Sequence, residues 1–460
     1  MIILIIAHYS FYNANYKVFY NTEISLLDSV LKLFVIGKQR IFFLLVVIVI
    51  LIGTQIASAA IKPIQSSEST TSFPKPSVQK KIEEEKIFKI TDKLKETIQS
   101  LVDNNKTNAA IVVGLIDPNG TQFYGYGNMS NSNHVTVNKD TIFAIGSITK
   151  VFTTILLADM VNRGLVNLDD PIEKYLPTSI KVPTFNGQKI TLENLATHTS
   201  GLSEFPSSHC VSNFNGTDDD DDEDSIQERL FFIECDKNYT FDQLYQDLSN
   251  TTLIREPGLK FEYSTFGISL LGHILALKSG MSYDRLVEER ILNVLGMNNT
   301  SIVLSDVQKS RLAIGHLNGQ ELPFWNTSRP IAPAGGLHSS VADMLKFASA
   351  NLGLINTKIN DAMKESHIII HDSRLGKAFS NNYTTYVRLG WIIATDFGIQ
   401  IVEHNGETAD GYNSFIALNT SEEKGIVILA SASRIDIDVA NIVFGPRDDL
   451  SRLIWNLLVN

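Results

Sequence analysis

Gly146-Ser147-Ile148-Thr149-Lys150 leads into residues 151–163, where Val151, Phe152, Ile155, Leu156 and Met160 recur at helical spacing and Gly164 supplies a stop. The stretch therefore reads as a buried helix with Ser147 and Lys150 on one face of its first turn. A serine hydroxyl is a weak nucleophile until a neighbouring base takes its proton, and a partly desolvated lysine is neutral enough to help. Backbone N–H groups at a helix start can also hold a developing oxyanion. Alone the pattern decides nothing. By themselves the same residues read more readily as an N-cap serine followed by an exposed lysine.

Composition narrows the alternatives. The chain has 460 residues, 44% of them hydrophobic, and a net charge of −11, which argues against nucleic acid as a partner. No zinc-type Cys/His spacing and no Gly-rich phosphate loop after a strand appears. Residues 1–40 read as an extension, cytoplasmic or upstream of the true start. Residues 41–60 hold an unbroken apolar run flanked by Lys38 and Arg40 and ending near Ala57-Ser58-Ala59, the pattern of a signal anchor or signal peptide. Residues 61–80 form a Ser/Thr/Pro tether, so the remainder is expected outside the cytoplasm, secreted or attached to the membrane through this segment. Asn-x-Ser/Thr triplets along the chain, those of Asn119 and Asn419 among them, agree with export.

From residue 81 onward the chain reads as one folded domain. A helix carries Ile87, Ile90, Leu94, Ile98 and Leu101 on one stripe, and residues 109–116 and 121–126 form a hairpin around Pro118-Asn119-Gly120. A mostly helical stretch, about 165–330, follows. It includes Thr197-His198-Thr199, whose histidine reads better as a group tying down a turn than as a catalyst. It also holds the acidic run 218–224, read as a solvated insertion rather than a calcium loop. Cys210 and Cys235, the only cysteines, bracket that insertion and are expected to form a disulfide. Residues 240–278 read as largely helical with a break at Pro257-Gly258, and further helices are expected at 283–295 and 341–352. Residues 386–394, 399–403, 412–418 and 425–430 read as strands, and 439–458 as a last helix. Strands at both ends around a helical middle imply an α/β (α+β) fold: an antiparallel sheet flanked by terminal helices, with a helical insertion.

Two further motifs complete a chemical set. Tyr263-Ser264-Thr265 lies on a loop in the helical region, and His404-Asn405-Gly406-Glu407 ends a late strand. Together with Ser147 and Lys150 they offer a nucleophile, an amine beside it, a phenol able to move protons and a polar group from a sheet edge. Tyr263 can act as a base only where positive charge, from Lys150 and His404, stabilises its phenolate.

In order and spacing these motifs resemble the serine β-lactamase and penicillin-binding-protein superfamily, in its branch of class C β-lactamases, D-stereospecific peptidases and esterases. The flanking phrases Leu195-Ala196-Thr197-His198-Thr199-Ser200-Gly201-Leu202 and Ala334-Gly335-Gly336-Leu337-His338-Ser339 match too. The resemblance implies Ser147 as acylated nucleophile, Lys150 as its activator, Tyr263 as base or proton shuttle, and His404 where many relatives carry lysine. It also implies an oxyanion hole from the N–H groups of Ser147 and Glu407, with Gly406 allowing close approach of substrate. Thr265 replaces the usual asparagine of the middle motif and can supply only part of its hydrogen bonding to substrate. Glu407 is unusual beside an oxyanion hole, because an inward-pointing charge would disfavour anionic substrates. The expected activity is hydrolysis of an ester or amide (β-lactam, D-peptide or ester) in a small molecule or short peptide, without metal or organic cofactor. The competing expectation is an inactive penicillin-binding-like ligand-binding or cell-surface protein.

Overall fold

The structure, a computed structural model, describes residues 88–104, 109–210, 226–368, 384–396, 399–433 and 449–459. The expected extension, apolar segment and tether at 1–80 lie outside these, as does the acidic run. Among the described residues no helix is long and apolar enough to cross a membrane.

Helix α1 (Asp92–Asn104) begins where the Thr91 hydroxyl accepts the Leu94 N–H at 3.2 Å. Strands β1 (Ile111–Asp117) and β2 (Gly120–Tyr126) form the hairpin, with Ile111 opposite Tyr126 and Asp117 opposite Gly120. The turn Gly146–Ile148 then enters α2 (Thr149–Asn162), every residue of which is buried from Thr149 to Met160. Helices α3 (Ile226–Asp236) and α4 (Thr265–Ser279) follow in the helical stretch, and α5 (Val341–Asn351) returns the chain to the sheet. Strands β3 (Thr384–Val387), β4 (Ile392–Asp396), β5 (Ile399–Glu407), β6 (Asn413–Asn419) and β7 (Lys424–Ala430) complete it, and α6 (Asp449–Val459) ends the described chain. The sheet is antiparallel, in the order β2-β1-β7-β6-β5-β4-β3.

Both faces of the sheet are covered. Ile111, Val113 and Leu115 of β1 pack with Leu94 and Ile98 of α1 and Ile454 and Leu458 of α6, whereas Val112 and Ile116 join the larger core around α2 and α5. Period-two alternation assigns these faces, and central strands covered on both sides read as continuous apolar runs. This is the fold class expected from the sequence.

Two element readings need correction. Residues 386–394 are two strands, because a turn closed by Arg388 N–H to Trp391 O at 3.0 Å interrupts them. An apolar run cannot distinguish one long strand from a tight hairpin when buried Trp391 sits in the turn. Likewise 240–278 is two helices, Phe241–Asn250 and α4, with fourteen non-helical residues, 251–264, between them. The expected C-terminal helix is described only as α6; residues 434–448 lie outside the description. Asn419 also leaves the set of glycan candidates, since it is buried and its Nδ2 donates to Leu458 O at 2.8 Å.

Cys210 and Cys235 form the expected disulfide, with Cα atoms 5.8 Å apart. It joins the end of the 199–210 segment to the C-terminal turn of α3. Closing a loop of 25 residues limits the unfolded chain and stabilises by roughly 3 kcal/mol. Thiol titration of the denatured, unreduced protein should therefore find no free thiol, and reduction should lower the unfolding midpoint by several degrees. Two titratable thiols in the unreduced protein would contradict this.

Candidate active site

Gly146 explains how the Ser147 turn is seated. It has φ +47°, and a Cβ there would lie 2.6 Å from Glu407 O and 2.8 Å from Glu407 N. Gly406 makes the matching approach from β5, where a side chain would collide with Ile145 O and Ser414 Oγ. The close approach at Gly406 is thus to the Ser147 turn of the same chain, a different purpose from the substrate contact expected. Ser414 Oγ donates to Ile145 O at 2.9 Å, Ile145 N–H donates to Leu337 O at 3.0 Å, and Leu337 N–H donates to Thr149 Oγ1 at 3.1 Å. Ser147 is therefore fixed between the end of β5 and the Ala334–Leu337 phrase, with its backbone beside that of Glu407.

Lys150 lies one helical turn on and is 1% exposed. Its Nζ donates to Ser147 Oγ at 2.9 Å and to Ala334 O at 2.8 Å, and sits 4.9 Å from the centroid of the Tyr263 ring. Burial pushes the amine down to about 7, with the Glu204 carboxylate opposing the shift. Burial raises the Tyr263 phenol above its ordinary value; Ser147 beside it opposes that rise and the Glu204 carboxylate adds to it. His404 lies across from it, ring centroids 6.4 Å apart. The His404 Nδ1 is 2.5 Å from Asn405 O, which places the ring proton there, and burial takes the imidazole down to about 4. This corrects one expectation about charge. His404 is neutral near pH 7 and Lys150 is about half neutral, so neither supplies the full positive charge that a Tyr263 phenolate needs. Burial thus leaves a partly neutral amine beside a protonated phenol. Among the described residues no group of three or more His, Cys, Asp or Glu is placed to hold a metal ion.

A serine hydroxyl bonded to a buried, partly neutral amine that lies over a phenol ring is equipped for acyl transfer. A family model described as beta-lactamase matches residues 94–438. The chain belongs to the beta-lactamase family. It is a β-lactamase-related serine hydrolase of the wider penicillin-binding-protein superfamily. Among curated relatives it is 29% identical over 332 residues to the D-alanyl-D-alanine-carboxypeptidase/endopeptidase AmpH of Escherichia coli, covering 71% of this chain and 80% of AmpH. The fold is shared with a beta-lactamase/D-alanine carboxypeptidase from Yersinia pestis (TM-score 0.61, 23% identity, 79% of this chain and 98% of the other). It is also shared with a class C beta-lactamase from Rhodobacter sphaeroides (TM-score 0.60, 24% identity, 80% and 98%).

In this beta-lactamase-family protein Ser147, Lys150, Tyr263, His404, Gly406 and Glu407 converge. Thr265 opens α4 two residues beyond Tyr263 and is buried; the cap of that helix is Ser264, whose Oγ accepts the Gly267 N–H at 2.9 Å. His198 holds the Tyr263 loop. Its Nδ1 accepts the Ser264 N–H at 3.0 Å, its carbonyl accepts the Glu262 N–H at 2.7 Å, and its ring stacks on Tyr263 at 4.6 Å. The sequence reading of a turn-tying histidine understates this, because the turn it ties carries the phenol.

Two residues were missed. Glu204 lies on a segment docked beside Tyr263: Ser203 O accepts the Ser264 hydroxyl at 2.7 Å and Glu204 O accepts the Phe266 N–H at 3.0 Å. Arg229 of α3 pairs with Glu407, its Nη2 being 3.1 Å from Oε1. Neither belongs to a motif, and no sequence signal would have found them. The Glu407 carboxylate accordingly faces a guanidinium, which answers the concern about an inward charge.

Proposed function

We propose that the chain is an extracytoplasmic hydrolase cleaving esters or amides in small molecules or short peptides through a Ser147 acyl-enzyme. The observation that carries this reading is the Ser147 hydroxyl hydrogen-bonded to buried Lys150, whose Nζ lies 4.9 Å from the centroid of the Tyr263 ring. Neutral Lys150 accepts the Ser147 proton as Oγ bonds to the substrate carbonyl carbon. The N–H groups of Ser147 and Glu407 receive the oxyanion. When the tetrahedral species collapses, the leaving alcohol or amine takes its proton through Tyr263. Water then attacks the acyl carbon, passes a proton back along the same pair and releases the acid with Ser147 restored. The name of AmpH supports peptide amides as substrates, whereas Thr265 in place of asparagine favours esters. The disulfide supports an oxidising compartment.

The test is intact-mass analysis of the exported part with a fluorophosphonate and with a fluorescent penicillin, followed by peptide mapping. A single adduct on the Ser147 peptide is expected. A folded protein that takes up neither probe would remove the acyl-enzyme and favour a ligand-binding role.

The mechanism also fixes a pH profile. Lys150 must be neutral to accept the proton, so kcat/KM should fall about tenfold per unit below about pH 7 and level off above about pH 8. His404, already neutral, adds no break in that window. A chromogenic ester assayed from about pH 5 to about pH 9 checks this, and a flat acid limb would exclude Lys150 as the base.

A further inference from the structure

Helix α3 is anchored firmly at its C-terminal end. Cys235 is bridged to Cys210, and the fully buried Asp236 carboxylate accepts Trp325 Nε1–H at 2.9 Å, the Ser328 N–H at 2.7 Å and the Ser328 hydroxyl at 2.8 Å. One to two turns earlier, buried Arg229 spreads its guanidinium over the end of β5: Nη2 donates to Glu407 Oε1 at 3.1 Å and Nη1 to Thr408 O at 3.0 Å. Both contacts fall beside the backbone that packs against Gly146. A planar fork engaging two acceptors fixes direction as well as distance, which a lysine cannot do.

We infer that Arg229 is a positioning residue for the oxyanion end of β5, holding the Glu407 N–H in place and cancelling the Glu407 charge where the substrate's negative charge develops. This rests on the acyl-enzyme reading above. Its physical content is twofold. Loss of the Thr408 clamp loosens the Glu407 N–H, and loss of the guanidinium leaves a carboxylate beside the oxyanion. The second effect opposes the transition state more than the bound substrate, so it should appear in kcat rather than KM. A purely structural role would predict neither this division nor any benefit from removing Glu407 as well.

The experiment uses the full chain with a p-nitrophenyl ester, rates being divided by the fraction of protein that a fluorophosphonate labels. Arg229→Gln is expected to lower kcat roughly 30- to 100-fold with KM within about threefold, and Glu407→Gln to lower it only a few-fold. The double variant should recover to about tenfold below wild type, faster than Arg229→Gln, because the unpaired charge is gone. Arg229→Lys, which keeps the charge without the fork, should also be faster than Arg229→Gln. Should Arg229→Gln not fold, the double variant still decides, since it buries no unpaired charge. Wild-type kcat in the double variant, or a double variant no faster than a folded Arg229→Gln, would overturn the inference. Wild-type protein without Ser147-dependent turnover would overturn the acyl-enzyme reading instead, and the inference with it.

Discussion

Ser147→Ala is expected to lower ester turnover by at least roughly 10⁴-fold while leaving the unfolding midpoint within about 2 °C of wild type. The rate loss follows from removing the attacking oxygen, for which neither Lys150 nor Tyr263 can substitute at that position. The small effect on stability follows from what holds the turn. Gly146 and the Ile148 N–H to Ile145 O bond at 3.2 Å set its backbone, and Lys150 keeps Ala334 O as an acceptor after the hydroxyl is gone. Parallel turnover and thermal-unfolding measurements check both parts. Retained turnover would dismiss Ser147 as nucleophile; a large fall in midpoint would mean that the hydroxyl supports the fold.

Lys150→Met has an unusual pairing of outcomes: loss of activity with a gain in stability. Turnover should fall roughly 10³-fold or more, because no other group takes the Ser147 proton. Stability moves the other way through proton linkage. In the unfolded chain the amine keeps its ordinary value near 10.5, and in the native protein burial lowers it to about 7. Between those values the unfolded chain binds a proton that the native protein does not, so wild-type stability rises with pH across that window. Below about pH 7 the whole penalty is present, on the order of 5 kcal/mol. Methionine removes that penalty and gives up the bonds to Ser147 Oγ and Ala334 O, at about 1 kcal/mol each. The variant should be about 3 kcal/mol more stable than wild type near pH 6 and no more stable near pH 10. Urea unfolding of both proteins at the two pH values decides it; a less stable variant near pH 6 would mean that Lys150 is not desolvated as its surroundings imply.

The sequence by itself determined the parts of this protein that local pattern controls. Residues 151–160 carry a helical stripe, residues 109–116 and 425–430 read as apolar strands, and a turn separates β1 from β2. Each follows from the side-chain periods of helix and strand, which the chain displays without reference to distant residues. The order of the Ser147, Tyr263 and His404 motifs lay in the sequence for the same reason, and so did the pairing of its only two cysteines.

Tertiary structure decided the electrical state and support of those residues. Lys150 reaches Ala334 across 184 positions, His198 reaches Ser264 across 66 and Arg229 reaches Glu407 across 178. A neutral His404 and a half-neutral Lys150 are consequences of burial, which the rest of the chain supplies once it has folded. The identity of the reacting groups is a property of single positions, whereas their proton affinity belongs to the water excluded around them.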